Sequence, residues 1–185
     1  MIKPSQCNGC PLIKLSTGFC PDLVPISPKV AIVLKMATKD EVINGVAMSG
    51  KAGWFWWKEF IYPAGFKRED VLVANVLRCY PHSGDFPIGA MKKQAVAACR
   101  RWDFATEAFR PTVAITTFNP AKVYQSPQLG KFVRRTMEKA KGFVEAGERP
   151  LVLMGEEARE KYAPWLAGQM KKWNGHWWRL DENRS

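Results

Sequence analysis

Four short apolar runs, spaced by helix-length segments, leave this chain few ways to fold. "KVAIVL" at 29–34, "DVLVANV" at 70–76, "PTVAITTF" at 111–118 and "RPLVLMG" at 149–155 are rich in β-branched residues and lack polar alternation. Such a run reads as a strand buried on both faces. Helical patterns lie between the runs. Residues 52–62 carry Trp54, Phe55, Trp57, Phe60 and Ile61, and residues 88–108 carry Met91, Ala95, Ala98, Trp102 and Ala105. Residues 128–145 carry Leu129, Phe132, Val133, Met137, Ala140 and Val144, and a Pro-interrupted helical region follows at 156–170. Strands alternating with helices predict an α/β fold, a three-layer α/β/α arrangement about a central four-stranded, mainly parallel sheet. No repeat, low-complexity tract or linker divides the chain, so residues 1–185 read as a single domain.

The architecture makes a forecast about function. Ligands of open α/β sheets bind beyond the carboxyl ends of the strands. Those ends are Lys35–Glu41, Asn75–Cys79, Phe118–Ala121 and Gly155–Glu157. Two amides, Asn75 and Asn119, fall at the ends of different strands, and Asp40 and Glu41 follow the first. An asparagine in such a place also caps helices and turns.

Charge narrows the partner. The formal net charge is +11, which points to a polyanion, most simply nucleic acid. Eight tryptophans accompany the cations, and aromatics beside cations stack bases or fill cores. With 46% hydrophobic residues the chain can bury a full core, which excludes disorder. No apolar run approaches the roughly 18 residues that span a bilayer. The amino-terminal residues lack a signal-peptide core, so a cytoplasmic monomer is expected, in a bacterial, archaeal or phage-infected cell.

Cysteine spacing points to a bound inorganic group. Cys7 and Cys10 form a C-x-x-C in an irregular, proline-rich arm. Cys79 lies just past the second strand, and Cys99 lies in a helix that would run back alongside it. Four thiolates converging from three segments suit a structural zinc or an iron–sulfur cluster. A redox C-x-x-C normally opens a helix after a strand, and this one precedes every strand. Cys20 reads as a buried small hydrophobe.

The segment "SGKAGWFWWKEFIYPAGFKREDVLVANVLRCYP" resembles the middle of the iron–sulfur (family 4) uracil-DNA glycosylases. Gly50, Ala52, Gly53, Ala64, Gly65, Arg68, Asp70, Val71, Asn75, Val76, Arg78, Cys79 and Pro81 match that family's pattern. The early C-x-x-C-P-L and the later Cys99 match its cluster ligands. The resemblance covers about residues 1–105 and implies a [4Fe-4S] cluster on Cys7, Cys10, Cys79 and Cys99. "TTFNPAKVYQSPQLGKFVRRTMEKA" looks like the family's T-x-H-P segment, and "RPLVLMGEEAREKY" with "WNGHWWRL" looks like its L-G-x-x-A and R-G-x-W segments. In that reading the last two strand units are exchanged in chain order. The alternative keeps the usual order, with "RPTVAITTFNPA" as the L-G-x-x-A unit; the fit around Pro127 and Leu129 favours the exchange.

The resemblance implies a DNA glycosylase that flips out a base and hydrolyses the bond to its sugar, leaving an abasic site. A carboxylate commonly assists such cleavage. Here the family's motif acid becomes Lys35 in "LKMAT", its stacking aromatic becomes Met48 in "GVAMSG", and its histidine becomes Asn119. The expected catalytic residues are therefore Asp40, Glu41 and Asn119, with Asn75, Met48 and Lys35 around the base. Met48 would admit a larger or modified pyrimidine, such as one found in phage DNA. Lys51, Lys122 and Lys172 would hold phosphates, Val123 or Tyr124 would fill the space left by the base, and His176 would approach the DNA. The alternative is a glycosylase-like accessory protein that binds DNA in replication or repair without turnover.

Overall fold

The computed structural model describes residues 3–99, 113–116, 120–147, 151–154 and 176–179. Its centre is a five-stranded sheet built from β2 (Val30–Met36), β3 (Val71–Leu77), β5 (Val113–Thr116), β6 (Leu151–Met154) and β7 (His176–Arg179), in the order β3-β2-β5-β6-β7. Every pairing in it is parallel. All seven residues of β3 and the first five of β2 are buried, as strands covered on both faces require.

Each apolar run of the sequence supplies one strand of this sheet. The fifth strand exceeds the expected four. Its tetrapeptide "HWWR" pairs with β6 at the sheet edge and carries no long β-branched run. The helical region expected at 156–170 lies outside the described residues, as does the far half of the helix expected at 88–108.

Helices fill the intervals. α1 (Lys39–Asn44) follows β2 directly. α2 (Lys51–Trp56) continues as a π-helical turn, Trp57–Ile61, that buries Trp57, Phe60 and Ile61. α3 (Gly89–Cys99) leads away from β3, α4 (Pro120–Gln125) follows β5, and α5 (Gly130–Glu145) packs against β5 through a buried stripe of Val133, Met137 and Ala140. The main core joins that stripe to Val30, Ile32, Leu34, Val71, Val73, Trp56 and Trp57.

The amino-terminal arm is irregular but held at many points. A short pair, β1 (Ser16–Thr17) with β4 (Tyr80–Pro81), ties it antiparallel to the segment after β3. The Leu23 and Val73 backbones exchange two 2.9 Å hydrogen bonds, which cap the outer edge of β3. The Lys3 ammonium donates to the Ser16 carbonyl at 2.6 Å and to the Ile13 carbonyl, curling the arm around its own cysteines. No helix among the described residues is long and apolar enough to cross a membrane.

Candidate functional site

Topology places a cleft before any side chain is considered. The chain leaves β2 for β3 on one side, then returns past β2 to β5 on the other. The loops after β2 and β5 thus diverge, and a crevice opens between them at the carboxyl ends of the two strands. A pocket of about 200 Å³ occupies this position. Leu34 and Met36 form its floor, Thr38, Asp40 and Glu41 one wall, Gly50–Gly53 another, and Pro120, Ala121, Tyr124 and Gln125 the third. It is smaller than the roughly 300–1,000 Å³ of sites for drug-sized ligands and suits one flat ring.

Close backbone approach shapes the wall. Gly50 abuts Asp40: a Cβ there would lie 2.8 Å from Asp40 Oδ2. Met48 holds a left-handed backbone, with φ of 55°, and sits under Gly53. Glu41 stabilises this bend. The Thr38 N–H donates to Glu41 Oε2 at 2.6 Å, the Met48 N–H donates to Oε1, and the Glu41 N–H returns to Thr38 Oγ1 at 3.3 Å. Thr38 and Glu41 are therefore a capping box that starts α1. Burial pushes the Glu41 carboxyl above its ordinary value, against the opposing pull of the two amide donors.

Asn75 is the unusual residue. It is only 2% exposed, and neither its amide nitrogen nor its amide oxygen has a hydrogen-bond partner. Such groups are rare in folded proteins because each costs its full desolvation. Its register partner on β2 is Leu34, which lies on the pocket floor.

The cysteines of the expected ligand set lie in the amino-terminal arm, just past β3 and at the end of α3. Cys10, Cys79 and Cys99 share one buried cluster with Leu12, Leu77, Ala95 and Ala98. Cys7 and Cys10 are near enough for their charges to act on Cys79, and Cys79 and Cys10 likewise act on Cys99. Burial pushes the Cys99 thiol up to about 12. Among the described residues no three His, Cys, Asp or Glu side chains close into a site for a single metal ion. Arg78 braces the corner. It donates from Nε and Nη2 to the two Asp22 oxygens at 2.9 and 2.6 Å, and from Nη1 to the Cys99 carbonyl at 3.0 Å.

The other expected residues divide. Asp40, Glu41, Lys51 and Tyr124 line the pocket, and Asn75 lies beside it. Met48 does not line it; its side chain packs in the core at 2% exposure. Lys35 alternates away from Leu34 and Met36 and lies 5.1 Å over the Phe86 ring, in a separate groove. Val123 is fully buried, so it belongs to the core; Tyr124, half exposed, is the one beside the pocket. Lys122 is exposed on α4 outside the pocket. His176 opens β7, while Asn119 and Lys172 lie outside the described residues. Two functional features escaped the sequence reading. The T-x-x-E spacing of Thr38 and Glu41 signals a capping box rather than a catalytic acid. The Asp22–Arg78 pair spans 56 residues and leaves no local signal.

No family model matches the chain. It is similar to a type-4 uracil-DNA glycosylase of Archaeoglobus fulgidus, with 29% identity over 111 residues. The match covers 60% of this chain and 53% of that protein, so the chain spans about half the length of its relative. The similarity supports a relationship at the level of the uracil-DNA glycosylase superfamily.

Proposed function

We propose that this chain is a DNA glycosylase that turns a nucleotide out of the duplex, holds its base in the pocket between β2 and β5, and hydrolyses the N-glycosidic bond. The base is uracil or a modified pyrimidine. The observation that carries the reading is the unpartnered Asn75 amide beside a pocket of single-ring size. A base edge would give that amide a donor and an acceptor in return. Water supplies a hydroxyl to the sugar carbon and a proton to the departing base. Asp40 is the pocket carboxylate suited to orient that water and to face the oxocarbenium-like charge, because both Glu41 oxygens are engaged by backbone amides. With Met48 in the core, Met36 on the pocket floor is the adaptable side chain that would accept a substituted ring.

The residue types fit a [4Fe-4S] cluster: Cys10, Cys79 and Cys99 share a buried, apolar cluster, and the charge of the fourth, Cys7, acts on Cys79. Bound there, the cluster would tie the arm to the end of β3. The delivery of Pro120, Ala121 and Tyr124 to the pocket by the segment after β5 favours the exchanged order of the last two strand units. Incubation with duplexes carrying uracil or modified cytosines, followed by abasic-site detection, tests the activity; silence on every substrate overturns it. Iron and sulfide analysis of anaerobically purified protein tests the cluster, and stoichiometric zinc in their place overturns it.

The engaged Glu41 carboxylate favours a second reading, an accessory protein that binds DNA without turnover. Asp40→Asn separates the two. Lost base release with retained DNA binding supports the enzyme, and no release from either protein supports the accessory.

A further inference from the structure

The solvent face of α2, and of the turn that continues it, carries an alternating pattern. Its exposed positions are Lys51, Trp54, Lys58 and Tyr62, spaced three, four and four residues apart. That spacing lays them in one stripe along the axis, cation and aromatic in turn. At the helical rise the stripe is about 16 Å long. Trp54 is 63% exposed and Tyr62 42%, whereas Trp56 and Trp57 on the inward face are sealed in the core at 0% and 1%. Neither lysine forms an ion pair among the described residues. One end of the stripe is the pocket, which Lys51 lines. There the half-exposed Tyr124 ring stands edge-on to Phe55 of α2 at 5.5 Å. At the other end the Tyr62 ring and the Arg68 guanidinium both rest on Trp57, at 5.7 Å each, so the exposed Arg68 adds a further cation.

We propose that this stripe is a track for single-stranded DNA, on which unpaired bases next to the pocket stack on Trp54 and Tyr62 while their phosphates lie against Lys51, Lys58 and Arg68. Every base has a π-face, so an aromatic platform takes a strand of any sequence, and interleaved cations follow its backbone. A blunt duplex hides those faces in its own stack and offers the stripe phosphates alone. The net charge of +11 also calls for a polyanion. A second copy seated here about a two-fold axis would instead set the same lysines against one another. The inference rests on the glycosylase reading only for its link to the pocket, where it names the substrate as DNA unpaired beside the flipped nucleotide. The track itself needs no turnover and serves an accessory protein equally.

The test uses the full chain, purified anaerobically, and labelled oligonucleotides that lack any target base. They are a blunt duplex and the same duplex with a single-stranded extension of either polarity. Fluorescence anisotropy at fixed salt reads the affinities. One stacked base corresponds to about fivefold or more in affinity, so the parent is expected to bind one of the extended duplexes tighter than the blunt one by that factor. Trp54→Ala is expected to erase this advantage while its affinity for the blunt duplex stays within about twofold of the parent's, and Trp54→Phe to keep most of it. Lys58→Ala is expected to lower the slope of log affinity against log salt on a single strand by about 0.7. A parent that gains nothing from either extension overturns the proposal, as does a Trp54→Ala that melts with the parent and keeps the gain. A parent that sediments as a dimer and becomes monomeric on Trp54→Ala also overturns it, since a second copy then occupies the stripe. Should Trp54→Ala fail to fold, Lys58→Glu serves, with loss of the advantage expected and its retention overturning the proposal. Base release is read in parallel on the parent. Silence there overturns the glycosylase reading, while the anisotropy still decides whether the stripe holds a strand.

Discussion

A Cβ built on Gly53 would lie 2.4 Å from the carbonyl carbon and oxygen of Met48. No side chain can yield to relieve that contact, because both atoms belong to the backbone. The Met48 bend is itself held by its N–H to Glu41. Gly53→Ala is therefore expected to cost at least the roughly 1–3 kcal/mol of an overpacked core and to distort the pocket wall. Thermal unfolding measures the loss. A melting temperature equal to that of the parent would mean that the wall can shift freely.

Asn75 sets stability against recognition. Its amide is buried without a partner, so an apolar side chain of the same size should be better tolerated there. Asn75→Leu is expected to raise stability by about 1–3 kcal/mol in urea unfolding and to abolish discrimination of the target base. A destabilised Asn75→Leu would show that the amide has a structural partner after all.

Neighbouring carboxylates in the loop after β2 should behave oppositely. Glu41→Gln places an amide nitrogen against backbone donors and is expected to cost about 1–3 kcal/mol of stability. Exposed Asp40→Asn is expected to stay within about 0.5 kcal/mol of the parent. The same change should slow base release by about 10²–10⁴. Chemical unfolding and single-turnover base release, run on both variants, give the comparison.

Asp70 predicts an acid limb of stability. Burial works upward on its carboxyl, but hydrogen bonds from the Lys29 ammonium and the Lys67 N–H, with the Lys29 charge, outweigh it and hold the carboxyl below its usual value. A depressed folded value means that the native state favours the ionised form. That stability is fully present above the ordinary aspartate value near 3.9 and is lost as pH falls below it. The gap in unfolding free energy between parent and Asp70→Asn should be constant from pH 7 to 5 and shrink toward pH 3. A gap that widens on acidification would contradict the assignment.

Phosphate contacts should appear as salt dependence. Lys51 lines the pocket mouth and Lys122 lies exposed on α4 nearby. Each change to Ala is expected to lower the slope of log affinity against log salt by about one, uniformly across DNA sequences. Fluorescence anisotropy between 50 and 200 mM salt measures it, and an unchanged slope removes that lysine from the interface.

What the sequence could and could not convey follows from range. The long apolar runs became strands because burial on both faces leaves its mark within a single segment, as in Val71–Leu77. The short edge strand His176–Arg179 carries no such mark; its pairing with β6 defines it. The cysteines drew notice because the residue type is scarce, and Cys10, Cys79 and Cys99 share one apolar cluster. Asn75 drew notice by its place near a strand end; in the structure it lies inside β3, two residues before Leu77. The roles of Lys35, Met48 and Val123 were not legible: strand alternation turns Lys35 away from the pocket, helix facing buries Val123, and the left-handed bend before α2 sinks Met48 into the core. Glu41 was misread through neglect of a local rule, the three-residue spacing from Thr38.

The seat beside β3 has a wider consequence. Leu23 occupies the place that a foreign strand would take on that flank of the molecule, trading both main-chain bonds with Val73. A copy whose arm lifted off would vacate the seat and present the largely apolar flank of β3 to its neighbours. Damage to this arm would then announce itself first as precipitation.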